Sequence, residues 1–287
     1  MSNSSLFDAY YYTHGCGRPY QRDEGWLAFF DHIAGRITEQ FAPKTVLDAG
    51  CAWGFLVEGF RKRGVEAFGV DISEYAIQNV HESVKSYCRV GSVTEPFAQT
   101  YDLITCIEVL EHMPQLEAEK AIENFCAHAN EVIFSSTPFD YKEVTHFNVH
   151  DPEYWAEQFA RHGFYRDMDA DLTYITAWAV RFVKGPRTNM RLVRDYERKF
   201  WQLRKENADL RQLAAEQQNQ LRQQEAQLAE NAHTAHAATA QLVDIHQSKA
   251  WKLTTELRKL RLWLIPEGST RERWAKRLWR VGKGAHD

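Results

Sequence analysis

Cysteine is sparse in this chain and does not come in pairs. Five occur among 287 residues, Cys16, Cys51, Cys88, Cys106 and Cys126, and no two form a C-x-x-C pair. An odd, scattered set excludes a disulfide framework and predicts free thiols in a reducing compartment. Long apolar runs are missing too: nowhere do the about 18 consecutive apolar residues of a membrane-spanning helix occur. The first ten residues, MSNSSLFDAY, have no basic stretch and no apolar core, so no secretory signal is expected and the chain reads as cytoplasmic. Between Asn189 and Gln247 there is neither proline nor glycine, so the usual helix breakers are gone. Basic charge is scarce before the end of the chain. From Ser248 to Asp287 eleven Lys and Arg face four Asp and Glu, a balance of +7 that leaves −11 of the overall −4 for the rest. So acidic a body argues against an extended nucleic-acid surface.

What is present suffices for one α/β domain and an appendage, with 44% hydrophobic and 13% aromatic residues. Strand-like runs at 45–48, 67–71, 86–90, 101–107, 130–136, 164–169 and 174–183 alternate with helical patterns near 24–40, 53–63, 74–83, 115–128 and 152–162. That alternation predicts a Rossmann-like, seven-stranded, mainly parallel sheet with helices on both faces. The last two strands lack a helix between them and are expected to form an antiparallel hairpin. Asp151-Pro152-Glu153 reads as an N-cap with proline in the first helical turn. The expected organisation is a cap or lid over 1–44, the sheet domain over 45–186, a coiled coil over 189–247 and a basic amphipathic tail over 248–287.

The stretch VLDAGCAWG at 46–54, followed by GVDIS at 69–73, carries most of the chemistry. An apolar strand ends in an acid, then a turn of small residues leads into a helix. Asp71 follows Gly50 by 21 positions, where a carboxylate accepts bonds from ribose hydroxyls. The dinucleotide fingerprint has glycines at turn positions one, three and six, whereas here Gly50, Ala52 and Gly54 alternate. Asp48 before the turn would repel a pyrophosphate and suits a cationic ligand with a free amino group. S-adenosylmethionine (SAM) has that group and a sulfonium. The chain resembles the class I SAM-dependent methyltransferases, whose first motif is acidic-x-Gly-x-Gly-x-Gly; Ala52 departs from it mildly. The resemblance implies SAM contacts from Asp48, Ala49, Gly50, Gly54, Asp71, Ile72, Ser92, Val93, Ile107 and Tyr20. Tyr12, His14, Tyr20 and Arg22, before the first strand, are candidates to cover SAM or touch the acceptor.

YDLITCIEVLEHMP, 101–114, reads as a buried strand emptying into a loop at the ligand edge of the sheet. EVLEH resembles the corresponding motif of ubiquinone-type O-methyltransferases and of small-RNA 2′-O-methyltransferases. The resemblance implies that Glu108, Glu111 and His112, with His146 (or His150) from the segment 136–155, can hold a divalent Mg, Mn, Fe or Zn ion. Without metal, His146 or His112 would act as general base, with Glu111 beside them.

From Asn189 onward a heptad frame fits. One seam holds Val193, Phe200, Asn207, Ala214, Leu221, Leu228, Ala235 and Leu242; the other holds Tyr196, Leu203, Leu210, Gln217, Gln224, Asn231, Ala238 and Ile245. This predicts a homo-oligomeric coiled coil whose middle is weakened by consecutive amides. Beyond it, Trp251, Leu253, Leu257, Leu260, Leu264, Trp274, Leu278 and Trp279 are interleaved with Lys and Arg. Such helices lie on membranes or dock on protein partners. Residues 10–184 resemble bacterial methyltransferases found beside or fused to glycosyltransferases of surface-polysaccharide synthesis, on the segment THFNVHDPEYWAEQFARHGF above all. The resemblance implies O-methylation of a glycan or nucleotide sugar at the inner face of the cytoplasmic membrane, with a glycosyltransferase as possible partner. The alternatives are an RNA 2′-O-methyltransferase, a quinone-type small-molecule O-methyltransferase, and a coiled-coil scaffold with a degenerate methyltransferase domain.

Overall fold

The structure is a computed structural model that describes residues 6–186 and 188–283, with side chains to residue 277. Five strands, β1 (Thr45–Ala49), β2 (Glu66–Asp71), β3 (Cys88–Val90), β4 (Tyr101–Ile107) and β5 (Ala129–Ser135), run parallel. Two more, β6 (Phe164–Arg166) and β7 (Val180–Lys184), close the sheet antiparallel in the order β3-β2-β1-β4-β5-β7-β6. The expected terminal hairpin is therefore present, and the seven-stranded sheet is as read.

Neighbouring residues on the central strands go to opposite faces, so both faces need cover. Leu47, Ile104, Val132 and Phe134 join one core with Ala121, Ile122, Phe125, Trp155 and Phe159. Val46, Leu103 and Ile133 join the other with Ile33, Ile37, Val57 and Phe60. The covering helices are α2 (Glu24–Phe41), α3 (Phe55–Lys62) and α4 (Glu74–Gln78), then α5 (Gln115–His128) and α6 (Pro152–Arg161). A short helix, α1 (Ala9–His14), precedes them, capped by the Asp8 carboxylate.

Three expectations need correction. Helix α4 stops at Gln78, where Asn79 folds its side-chain amide back onto the Tyr75 carbonyl. The strand expected over 174–183 begins only at Val180: Ile175 buries its side chain from a turn. Asp151 sits at the N-cap of α6 without a side-chain cap bond, while Pro152 takes the first turn as expected.

The first turns of α7 (Asn189–Gln247), to Phe200, belong to the same compact unit as the sheet. There Arg198 pairs with Asp169 at 3.1 Å. The second unit, 201–287, contains the rest of α7, then α8 (Lys249–Leu264), capped by Ser248, and α9 (Thr270–Lys283). Leu203, Leu210, Leu221, Leu228, Leu242 and Ile245 are all exposed on α7. Among the described residues no helix is long and apolar enough to cross a membrane.

Candidate functional site

In an open α/β sheet, ligands sit beyond the strand carboxyl ends where the strand order reverses, here between β1 and β4. Asp48 on β1 is buried, and the Thr105 hydroxyl from β4 donates to its Oδ1 at 2.7 Å. Burial raises its pKa to about 7; the Thr105 bond opposes the rise and the Asp71 charge adds to it. After Ala49 the chain turns through Gly50 (φ +85°), Ala52 (φ +47°) and Gly54 (φ +72°). A Cβ on Gly50 would stand 2.3 Å from Val109 Cγ2, so that position is closed to any side chain. Asp71, at the end of β2, accepts from Ala52 N–H through Oδ2 and from Ser73 N–H through Oδ1, both at 2.8 Å. Burial also raises its pKa against those two bonds. Among the described residues neither aspartate has an ion pair with Lys or Arg. Two buried acids facing one crevice with no cation fit a ligand carrying positive charge, as SAM does. Ile72 is half-buried beside Asp71, and Ile107 ends β4. Ser92 and Val93 follow β3, their loop tied down by Asn124 Nδ2, which donates to the Val93 carbonyl at 2.9 Å.

The N-terminal segment covers this crevice. Tyr12 packs against Tyr20, Trp53 and Tyr75, with ring centroids 5.6–6.1 Å apart, and Tyr20 stacks on Phe55 at 5.2 Å. The Ser73 hydroxyl donates to the Phe7 carbonyl at 2.5 Å, joining this cover to the end of β2. Two of the lid candidates are engaged elsewhere. Arg22 forms a two-pronged pair with Glu58 of α3, at 2.7 and 2.9 Å. His14 is exposed and stacks on Tyr10.

Beyond β4, Glu108 takes the left-handed conformation, with φ +53°. For a residue with a Cβ that backbone is strained and is held by its surroundings. A single helical turn, 110–112, follows, with Glu111 and His112 buried on it. The long connection from β5 to α6 folds back over that turn. Phe147 and Asn148 both donate their N–H to the Glu111 carbonyl, at 3.1 and 3.0 Å, and Asn148 Nδ2 donates to the Leu110 carbonyl. This brings His146 to His112, ring centroids 4.5 Å apart. His150 is turned away, bonded to Asn148 and stacked on Tyr154.

Glu111, His112 and His146 each offer a ligand atom, all within 4.8 Å of one another. Glu111 Oε2 is buried without a hydrogen-bond partner. One orphaned carboxylate oxygen beside two imidazoles is a donor set that fits a divalent cation. Glu108, expected as a fourth ligand, stands outside this trio: its Oε1 accepts from the Trp178 indole N–H at 2.8 Å. Burial and the neighbouring Glu108 charge together drive the Glu111 pKa well upward. Burial, and then the neighbouring His146, lower that of His112 to about 4, so its ring is neutral near pH 7.

Beside the cluster a cavity of about 360 Å³ opens to solvent, walled by Glu108, Thr137, Phe139, Lys142, His146 and Trp178. Trp178 and Phe139 meet edge to face at 5.1 Å and give it aromatic walls. The sequence reading missed Trp178, Tyr11, Glu143 and Thr145, all of which reach this centre. Its one available signal was the Thr145-His146 pair inside a segment already noticed.

A family model described as "Methyltransferase domain" matches residues 20–167. The chain belongs to this methyltransferase family. It carries the SAM-dependent class I domain. Ubiquinone biosynthesis O-methyltransferase of Acinetobacter baumannii (strain AYE) is 30% identical over 120 residues, 38% of this chain and 49% of that protein. The enzyme of the same name from Azoarcus sp. (strain BH72) is 34% identical over 110 residues, 35% of this chain and 47% of that one. The chain thus spans about half the length of the curated relatives it matches. The SAM-bound structure of magnesium protoporphyrin IX methyltransferase from Synechocystis PCC 6803 shares the fold, with TM-score 0.50 and 18% identity over 64% of this chain and 98% of that one.

Proposed function

We propose that this methyltransferase moves the methyl group of SAM to a hydroxyl of a sugar or glycan in cell-surface polysaccharide biosynthesis. The observation that carries the reading is the cluster of buried Glu111 and His112 with half-buried His146, beside an aromatic-walled cavity open to solvent. A methyl bound to sulfonium needs little activation, so alignment and proton removal remain for the protein. The acceptor oxygen attacks the methyl carbon, the carbon–sulfur bond breaks, and its electron pair stays on sulfur. With no metal bound, the acceptor proton passes to His112 Nε2, which is neutral and has a lone pair. A divalent cation held by Glu111, His112 and His146 would take up that lone pair and replace the base, lowering the pKa of a coordinated hydroxyl. Trp178 and Phe139 supply flat faces on which a pyranose ring can stack.

The second reading is a quinone-type small-molecule acceptor, favoured by the ubiquinone-pathway relatives at 30–34% identity. An RNA acceptor fits the acidic body less well. The tail holds the enzyme at the inner face of the cytoplasmic membrane or on a glycosyltransferase partner, through the exposed Trp251, Trp263 and Trp274 among basic residues. Self-association of α7 along its leucine seam completes the proposal.

Labelled methyl transfer decides among these. The expected result is nuclease-resistant label in a lipid-linked glycan fraction; label confined to a quinone extract supports the second reading. Loss of transfer in EDTA, restored by a divalent ion, is expected. Full activity in EDTA removes the metal.

A further inference from the structure

We propose that Thr145, held by Glu143, is a positioning residue that fixes the ring of His112 in one tautomer, with the lone pair on Nε2, the nitrogen that the Tyr11 hydroxyl meets. The inference rests on the methyl-transfer reading for its purpose and on hydrogen-bond directions for its content.

Glu143 Oε2 accepts twice from one residue, from the Thr145 N–H at 2.9 Å and from the Thr145 hydroxyl in a short bond. A threonine hydroxyl has a single proton, and here it goes to a carboxylate that can only accept. Thr145 Oγ1 is therefore left as an acceptor. His112 Nδ1 lies 2.8 Å from it. Two acceptors do not bond, so Nδ1 must carry the hydrogen. A neutral imidazole protonated on Nδ1 has its lone pair on Nε2. The network assigns the tautomer because only one arrangement of the protons satisfies all three groups.

The surroundings agree with that assignment. The Tyr11 hydroxyl, which can donate to a bare nitrogen, lies 3.3 Å from His112 Nε2. Phe7 and Tyr11 present ring edges to the imidazole, at 5.6 and 5.8 Å. The loop bearing Thr145 is pinned to the turn bearing His112 by the Phe147 and Asn148 bonds to Glu111, so the pair cannot drift apart. Glu143, Thr145 and His112 thus form a carboxylate–hydroxyl–imidazole chain in which the outer members orient the imidazole and leave Nε2 its lone pair. The logic is that of a buried carboxylate behind a catalytic histidine, with a hydroxyl interposed.

The test uses full-length protein with ¹⁵N-labelled histidine. In the wild type, nitrogen spectra are expected to show His112 protonated on Nδ1 and bare on Nε2. Thr145→Val removes the acceptor and should mix the tautomers or reverse them. It should cut kcat for transfer to the glycan fraction by about 10–100-fold, while the Kd for SAM by calorimetry stays within twofold. Thr145→Ser restores both readouts. Glu143→Ala removes the acceptor, frees the Thr145 proton and should also lose the single tautomer. A wild-type Nδ1–H signature in Thr145→Val, or unaltered kcat, overturns the proposal. If Thr145→Val does not fold, Glu143→Ala read against Thr145→Ser decides by the same two outcomes. Wild-type protein that binds SAM but methylates no offered acceptor defeats the functional reading alone, since the spectra still report the tautomer.

Discussion

The backbone N–H of Ala52 donates to Asp71 Oδ2 at 2.8 Å, so the first cofactor motif is bonded directly to the second. The same carboxylate holds the Ser73 N–H, at the start of α4. Asp71 thus sets the turn, and the proposed cofactor site has it receive ribose hydroxyls. Asp71→Asn should weaken SAM by about 2 kcal/mol, since charge-assisted bonds are lost. Titration calorimetry checks this, and unaltered affinity would sink the assignment.

Ala52 sits at φ +47°, where a Cβ costs energy that glycine avoids. Ala52→Gly should therefore stabilise the free protein by about 0.5–1 kcal/mol despite the added freedom of the unfolded chain. Urea unfolding measures it; a loss of stability would show that the turn is not strained there.

Asp48 gives a pH signature. Its folded pKa of about 7 stands above the ordinary aspartate value of 3.8. Below both values the carboxyl is neutral in either state and carries no penalty. As pH rises through this window, the unfolded chain ionises first and the fold loses stability. The melting temperature without SAM should fall by several degrees between pH 5 and 8, and Asp48→Asn should flatten that slope. SAM, bringing a cation to the ionised form, should bind more tightly as pH rises through 7, with release of a proton. A flat binding profile would remove Asp48 from the ammonium contact.

The Tyr11 hydroxyl occupies the Nε2 side of His112, where the proposed mechanism would bring an acceptor hydroxyl. Tyr11→Phe should lower the acceptor KM by about two- to fivefold, the worth of one neutral hydrogen bond, and leave SAM affinity alone. A raised KM would mean that Tyr11 holds the acceptor instead.

The exposed seam of α7 predicts its own disruption. Leu210→Asp with Leu221→Asp should convert the proposed oligomer to single chains in sedimentation equilibrium, without loss of SAM binding. Wild-type protein that sediments as one chain defeats the coiled coil.

The sheet, its order and the cofactor turn were legible because their signals are local: apolar runs, small residues, and an acid at a fixed distance. The cluster was legible in part. Glu111, His112 and His146 came from two segments already noticed, and the fold joins them. Glu108 looked identical to Glu111 in sequence, but a left-handed backbone turns it toward Trp178, 70 residues on. Arg22 looked free, and Glu58 holds it. Thr145 bonds a ring 33 positions earlier in the chain, a pairing that no periodicity encodes. What the sequence hides here is which of several chemically suitable side chains the tertiary fold has already engaged.

Asn148 and Phe147 fasten the loop after β5 to the turn after β4, so the chemical floor of the cavity is one rigid piece. The rim is built differently: Phe139, Asp140 and Lys142 line the cavity from the same loop and lie outside that fastening. Evolution can therefore exchange rim residues and retune which acceptors enter, while the reacting groups keep their places. Related chains with divergent rims and an unaltered Asn148 would be expected to differ in what they methylate and to agree in how.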